Sequence, residues 1–218
     1  MEIFSHILTN VPVFGLDDDI KEVIRYFKDT THSHVAISQG EIFVGLLGEV
    51  DLDIFEAGEK VEAYRLNMEG FSVSSDMMLL DVLEVFARNG ANLLPVLDKD
   101  GKVLGYYCLT DVVSVFIETP FFTEPGGVLV VAKGIKDYSF SEISQIVESN
   151  NSRLMGGFIT DIKNDVVQIT LKIVGTDMND IIQTFRRYNY TIMSGSHDDL
   201  FLENLKQRSD YLDKYLNV

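Results

Sequence analysis

Basic residues are scarce in this chain. Eighteen Lys and Arg stand against 34 Asp and Glu in 218 residues, a formal charge of −16. The deficit is uneven: residues 1–125 hold eight basic residues against 22 acidic ones, residues 126–218 ten against twelve. Nucleic acids are bound largely through Lys and Arg that displace counterions from the phosphate backbone, so the acidic half is unsuited to DNA or RNA. The same field opposes polyphosphates. Cys108 is the only cysteine, which excludes an intrachain disulfide and any CxxC metal or redox motif. Long apolar runs are missing too: none approaches the roughly 18 residues of a membrane span, and the opening MEIFSHILTN has an acidic residue where a signal peptide needs positive charge. A cytoplasmic protein with no membrane partner is expected. The sequence also lacks G-x-S-x-G, a Walker loop, H-E-x-x-H and a G-x-G-x-x-G on a strand-to-helix turn, so nothing points to catalysis.

What is present is an ordinary globular composition, 46% hydrophobic and 24% charged, with length enough for two compact domains. It also holds a duplication. Shifted by 59 residues, VFGLDDDIKEVIRYFKDTTHSHVAIS aligns without a gap on SVSSDMMLLDVLEVFARNGANLLPVL; one extra residue near DKDGK then moves the offset to 60, placing Gly45 on Gly105 and Asp51 on Asp111. Each copy opens with a short extended stretch. A helix follows whose apolar residues recur at i, i+3, i+4 and i+7: Ile20, Val23, Ile24, Phe27 in one copy and Leu79, Val82, Leu83, Phe86 in the other. Asp17 and Asp76 stand where an N-cap is expected, and Asn89-Gly90 reads as a helix stop. Two strands joined by a glycine-containing turn come next, and a second helix is expected from Asp51 and from Asp111.

Strand, helix, strand, strand, helix, with a G-x-x-[S/T]-x-x-D segment entering the last helix, resembles the CBS domain family, as a tandem pair over about residues 5–118. The second copy, LPVLDKDGKVLGYYCLTDVV, keeps Pro95 and the spacing from Gly105 to Asp111; the first, VAISQGEIFVGLLGEVD, keeps Gly45 and Asp51 but has Ala36 in place of the proline. The resemblance implies two clefts for adenosine nucleotides, with Asp51 and Asp111 accepting from ribose hydroxyls, a bond pattern that suits a carboxylate. It also implies clefts lined by Phe14, Gly15, His34, Ala36, Val73, Pro95, Cys108 and Thr110. The family's Ser/Thr is missing from both copies: Gly48 and Cys108 hold its place, and Thr110 stands two residues on. The bland reading is that Asp51 and Asp111 only favour helix N-termini. His32 and His34 would share a face if that stretch is extended, and are open to reading as ordinary side chains, as phosphate contacts or as metal ligands. With so few cations nearby, AMP or adenosine is expected rather than ATP, and no cofactor is required.

Thr119-Pro120 and Glu124-Pro125-Gly126-Gly127 bracket an expected linker, 121–127, and Phe121-Phe122 within it is expected to pack at the domain junction or to form an exposed pair. Beyond it the pattern reads βαββαβ: a buried strand at Val128, a capping box at Ser139-x-x-Glu142, a strand near Leu154 with a bulge at Gly156-Gly157, a turn at Lys163-Asn164-Asp165, an alternating strand, a helix capped by Thr176 or Asp177, and a closing strand from Tyr190. That order resembles the ACT domain, a regulatory module, although Asp137-Tyr138-Ser139-Phe140 occupies the turn where the family often has glycine. The whole is similar to the acetoin-utilisation AcuB-type proteins. The expected architecture is α+β: CBS-like repeats at 1–58 and 59–120, an ACT-like domain at 128–196 and an amphipathic helix at 197–218, assembled as a homodimer that acts on an unidentified protein partner. The expected function is that of a non-catalytic sensor or, with degenerate clefts, of a scaffold.

Overall fold

The computed structural model describes residues 3–175 and 178–195. The helix expected at 197–218 and the cap at Thr176 or Asp177 lie outside the described residues. The chain divides between Ile117 and Glu118 into two compact units.

The first unit contains both repeats. The first repeat runs β1 (Phe14–Gly15), α1 (Ile20–Asp29), β2 (His34–Gln39) and β3 (Ile42–Gly48); the second runs β4 (Val73–Ser74), α2 (Leu79–Asn89), β5 (Leu93–Leu97), β6 (Val103–Cys108) and α3 (Leu109–Ile117). Each copy forms its own three-stranded sheet, β1-β2-β3 or β4-β5-β6, with the first pair parallel and the second antiparallel. Even the irregularity is duplicated: the hairpin register shifts between Ile37 and Ser38 in one copy and between Val96 and Leu97 in the other. The helices bury the stripes their spacing requires, Ile20, Val23 and Phe27 from α1 and Leu79, Val82 and Phe86 from α2. Gly90 ends α2 in the left-handed conformation, φ 58°, which glycine adopts without a Cβ penalty.

Two local expectations are corrected. The cap of α1 is Asp19, whose carboxylate accepts from the Lys21 amide at 2.9 Å; only the residue directly before the first helical position can reach that donor. In the second copy Met78 occupies the cap position without a side-chain bond, and Asp76 instead accepts from the Ser74 hydroxyl. The helix expected from Asp51 is not an α-helix but two 3₁₀ segments, Glu49–Ile54 and Val61–Asn67. Like charges such as Glu49 and Asp53 repel at i,i+4, and Gly58 at φ 107° interrupts the run. The equivalent α3, LTDVVSVFI, has a single acidic residue and forms a regular helix.

The second unit runs α4 (Pro120–Thr123), β7 (Gly127–Gly134), α5 (Phe140–Ser149), β8 (Arg153–Lys163), β9 (Val166–Val174), α6 (Met178–Arg187) and β10 (Thr191–Gly195). Its sheet has the order β10-β7-β9-β8 with every neighbouring pair antiparallel, so β9 lies between the parallel strands β7 and β8. This is the ferredoxin-like split βαβ arrangement. Inward residues of β9, Val167, Ile169, Leu171 and Ile173, meet Ile143, Ile146 and Val147 of α5 and Ile181, Ile182 and Phe185 of α6 in one core. Asn164 and Asp165, at φ 51° and 59°, make the two-residue turn between β8 and β9. The β8 register shifts between Leu154 and Gly156, a bulge beside the glycine pair. The stretch expected as a linker begins as a helical turn instead. Phe121 lies over Gly156 of β8, where a Cβ would stand 3.0 Å from the ring, and its ring is 6.4 Å from that of Phe158. The absence of a side chain at Gly156 is what admits it.

Candidate functional site

The two repeats are joined by exchange of their lead-in segments. Leu8, before β1, pairs with Tyr106 of the other copy, and Glu69, before β4, pairs with Leu46; each pair makes both backbone bonds, at 2.7 to 2.9 Å. Leu46 and Tyr106 are equivalent positions, so Leu8 and Glu69 are equivalent too. Each segment passes over a conserved-in-both-copies glycine because nothing larger fits: a Cβ on Gly105 would lie 2.4 Å from the Leu8 carbonyl oxygen, and one on Gly45 would lie 2.9 Å from Met68 Cβ. Ala36 and Leu46 of the first copy and Leu93 and Tyr106 of the second form one buried cluster.

Ser33 and Asn92, also equivalent, stitch the copies together. Ser33 N donates to Asn92 Oδ1 at 2.8 Å, Asn92 N donates to Ser33 Oγ at 2.9 Å, and Asn92 Nδ2 donates to the Thr31 carbonyl at 2.8 Å. This network sets the bend at Ser33 and sends the two nearby histidines to different surroundings, so the shared face expected for them does not form. His32 Nδ1 meets the Tyr26 hydroxyl, and burial pulls the His32 imidazole below its ordinary range while pushing the Tyr26 phenol up to about 12. His34 is 6% exposed. Its Nδ1 lies 2.8 Å from Ser33 Oγ, its Nε2 lies 3.2 Å from Glu69 Oε1, and the ring stands edge-on to Phe71 at 5.0 Å. Because a carboxylate only accepts, His34 Nε2 is the donor in the bond with Glu69.

Around the first copy's motif, then, His34 faces Gly48 across the β2–β3 ladder, and Glu69 comes in from the other copy's lead-in. A Cβ on Gly48 would lie 3.5 Å from Glu69 Oε1 and 3.7 Å from the His34 ring. Asp51 follows in the 3₁₀ segment, half-buried. Around the second copy's motif, Cys108 faces Leu93, its Sγ is 3.1 Å from Thr110 Oγ1, and half-buried Asp111 lies in the first turn of α3. The position equivalent to His34 is Leu93, fully buried, and that equivalent to Glu69 is Leu8.

The other expected site residues are more scattered. Ala36 and Pro95 are buried in β2 and β5, and Val73 is a core residue of β4 at 2% exposure. Phe14 is half-buried in β1, its ring 6.1 Å from that of Tyr26. Gly15 lines a cavity of about 220 Å³ with Asp17, Asp18, Ser38 and Glu62, and a cavity of about 370 Å³ lies at the equivalent end of the second copy beside Ser75, Asp76 and Met77. Of the expected ligand contacts only Gly15 lines either cavity. Glu69 was missed by sequence reasoning. Its sole signal was its place just ahead of the second copy, and its partner His34 is 35 residues away.

Among the described residues no group of three or more His, Cys, Asp or Glu side chains could hold a metal ion, and no helix is long and apolar enough to cross a membrane.

Comparison with known proteins bears on the first unit. The family model of the CBS domain matches residues 68–118. An uncharacterised protein of Methanocaldococcus jannaschii, MJ0188, is 24% identical over 119 residues, which are 54% of this chain and 45% of that protein. The chain thus spans less than half the length of that relative. Among solved structures, a CBS domain pair/ACT domain protein of Thermotoga maritima, TM0892, is 17% identical with a TM-score of 0.49, over 54% of this chain and 98% of that one. CBSX2 in complex with AMP is 15% identical with a TM-score of 0.44, over 54% of this chain and 96% of that one. The second repeat matches the CBS domain model, the first repeats its β-strand and first-helix framework, and the two stand ahead of a ferredoxin-like domain.

Proposed function

We propose that this CBS-pair protein is a non-catalytic regulator whose paired repeats take an adenosine-type ligand, and that occupancy is passed on through the ACT-like domain in a homodimer. One observation carries the reading: the matched segment 68–118 holds Asp111 in the first turn of α3, three residues after the end of β6, and the first copy has Asp51 at the equivalent place after β3. A carboxylate there can accept from two vicinal ribose hydroxyls. The acidic surroundings favour adenosine or AMP over ATP. For the ligand to regulate anything it must bind two states of the protein unequally.

The scaffold reading draws on Gly48 and Cys108, which leave both motifs without the hydroxyl of the family pattern. Calorimetric titration of the full chain with adenosine and with AMP separates the two. The sensor reading expects saturable binding, with Asp51→Ala and Asp111→Ala each removing one site. Binding of neither compound at millimolar concentration would establish the scaffold.

A further inference from the structure

We infer that His32 is a proton-operated latch on the seam between the two repeats. Neutral, it ties helix α1 to the short segment that Asn92 of the second copy grips; protonated, it gives up that tie and the seam loosens. The latch belongs to the joint between the copies and is independent of the ligand reading above.

Three consecutive residues build it. Thr31 offers its carbonyl to Asn92 Nδ2 at 2.8 Å, and Ser33 exchanges two bonds with Asn92, through its amide at 2.8 Å and its hydroxyl at 2.9 Å. Between them half-buried His32 turns back onto its own copy, where Nδ1 meets the hydroxyl of Tyr26 on α1 and the two rings lie 5.7 Å apart. Tyr26 is packed in turn by Phe14, at 6.1 Å, and by Phe27, at 5.7 Å. One imidazole thus connects the grip of Asn92 to α1 and to the aromatic cluster around it.

The direction of the tie fixes its response to a proton. Burial pushes the Tyr26 phenol up to about 12, so the phenol keeps its hydrogen and donates it, and His32 Nδ1 is the acceptor of a neutral ring. A second proton on that ring has to sit on the same Nδ1, which reverses the bond and displaces the phenol hydrogen from its acceptor. Burial opposes the cation as well, and holds His32 below its ordinary range. The charged and titratable groups on the surrounding elements are engaged elsewhere. Asp29 of α1 pairs with Arg25 at 3.7 Å, and Glu69 bonds His34 at 3.2 Å on the far side of Ser33. Glu49, at the head of the first 3₁₀ segment, holds the Ser33 carbonyl through its amide at 2.8 Å. Opening the seam exposes the ring, so the open state takes up a proton that the closed state does not. Closure is therefore lost as the pH falls below the range of a free histidine, about 6.5.

Amide hydrogen exchange of the full chain between about pH 8 and about pH 5, resolved by NMR and corrected for the intrinsic exchange rate, tests this. The amides of Ser33 and Asn92 should lose protection as the pH falls, with a limiting slope of about tenfold per pH unit, the mark of one proton taken up on opening. Those of Ile169 and Leu171 in β9 should keep theirs. His32→Asn puts an acceptor that does not titrate in place of Nδ1 and should flatten the slope. Tyr26→Phe, which removes the donor, should lower the protection of the two seam amides at the alkaline end and make the slope shallower. A slope that persists in His32→Asn places the proton on His34 or Glu69 and overturns the latch. So does protection of Ser33 and Asn92 that stays level across the range in the parent chain.

Discussion

The Tyr106 hydroxyl accepts the amide hydrogen of Ala36 at 3.0 Å and gives its own hydrogen to the Pro12 carbonyl at 2.7 Å, joining residues 70 and 94 positions apart. In the second copy the residue equivalent to Ala36 is Pro95, which has no amide hydrogen, and the first-copy residue equivalent to Tyr106 is Leu46, which has no hydroxyl. The departure from proline at 36 leaves an amide hydrogen, and the Tyr106 hydroxyl of the other copy takes it up.

Tyr106→Leu should destabilise the protein by about 1–3 kcal/mol through the stranded Ala36 donor, with a cavity term in addition. Adding Ala36→Pro removes that donor and copies the arrangement already present at Pro95, so the double variant should recover part of the loss. Denaturant unfolding of the two single variants and the double variant measures the coupling. Strict additivity would contradict the compensation.

Tyr107 behaves in the opposite way. Among the described residues its buried hydroxyl has no hydrogen-bond partner, and burial raises its phenol above the ordinary range. Deleting an unsatisfied buried hydroxyl relieves a desolvation penalty, so Tyr107→Phe should leave the melting temperature unchanged or raise it. A fall of several degrees would mean that the hydroxyl is bonded after all.

The crossing segments make an ordered prediction about glycine. At Gly105, φ 153°, an added Cβ meets the Leu8 carbonyl oxygen at 2.4 Å, which is backbone and paired on both sides. At Gly45 the obstacle at 2.9 Å is the Met68 side chain, although the Glu69 carbonyl is also near, at 3.2 Å. Gly105→Ala should therefore be the more damaging, by more than about 2 kcal/mol, and Gly45→Ala milder. Thermal unfolding of the two variants ranks them directly, and the reverse order would refute the assignment of the close approach.

In the C-terminal domain Lys133 Nζ contacts Glu142 at 2.5 Å and lies 4.2 Å from the centre of the Tyr190 ring. The hydrogen bond from Lys133 holds the Glu142 carboxyl below its ordinary 4.5, against a smaller opposing effect of burial and with added help from the Tyr190 hydroxyl. A carboxyl depressed in the folded state stabilises fully above its unfolded value, and that contribution is lost as the pH falls through the folded value. Glu142→Gln should thus be less stable than the parent at neutral pH and converge with it in acid, well below pH 4.5. Parallel curves of melting temperature against pH would show that the pair contributes no such term.

The sequence by itself determined the duplication, the burial stripes of α1 and α2, the paired hairpins, the order βαββαβ and the turn at Asn164-Asp165. These follow from periodicity, from residues with special φ, and from an offset visible in the letters, all of which act over a few positions along the chain. Which aspartate caps α1, and whether the acidic stretch after β3 forms an α-helix, lay at the limit of that reading, since one residue of register or a few repelling charges decides them. Only the tertiary structure decided that Glu69 meets His34, that Tyr106 serves Ala36 and that Leu8 closes over Gly105. Those contacts join residues 35, 70 and 97 positions apart. They exist because the lead-in segments exchange between the copies, a geometry that no local pattern encodes. The placement of the Glu69 carboxylate beside Gly48 arises there, from a side chain outside the motif that the pairing of the repeats brings to it.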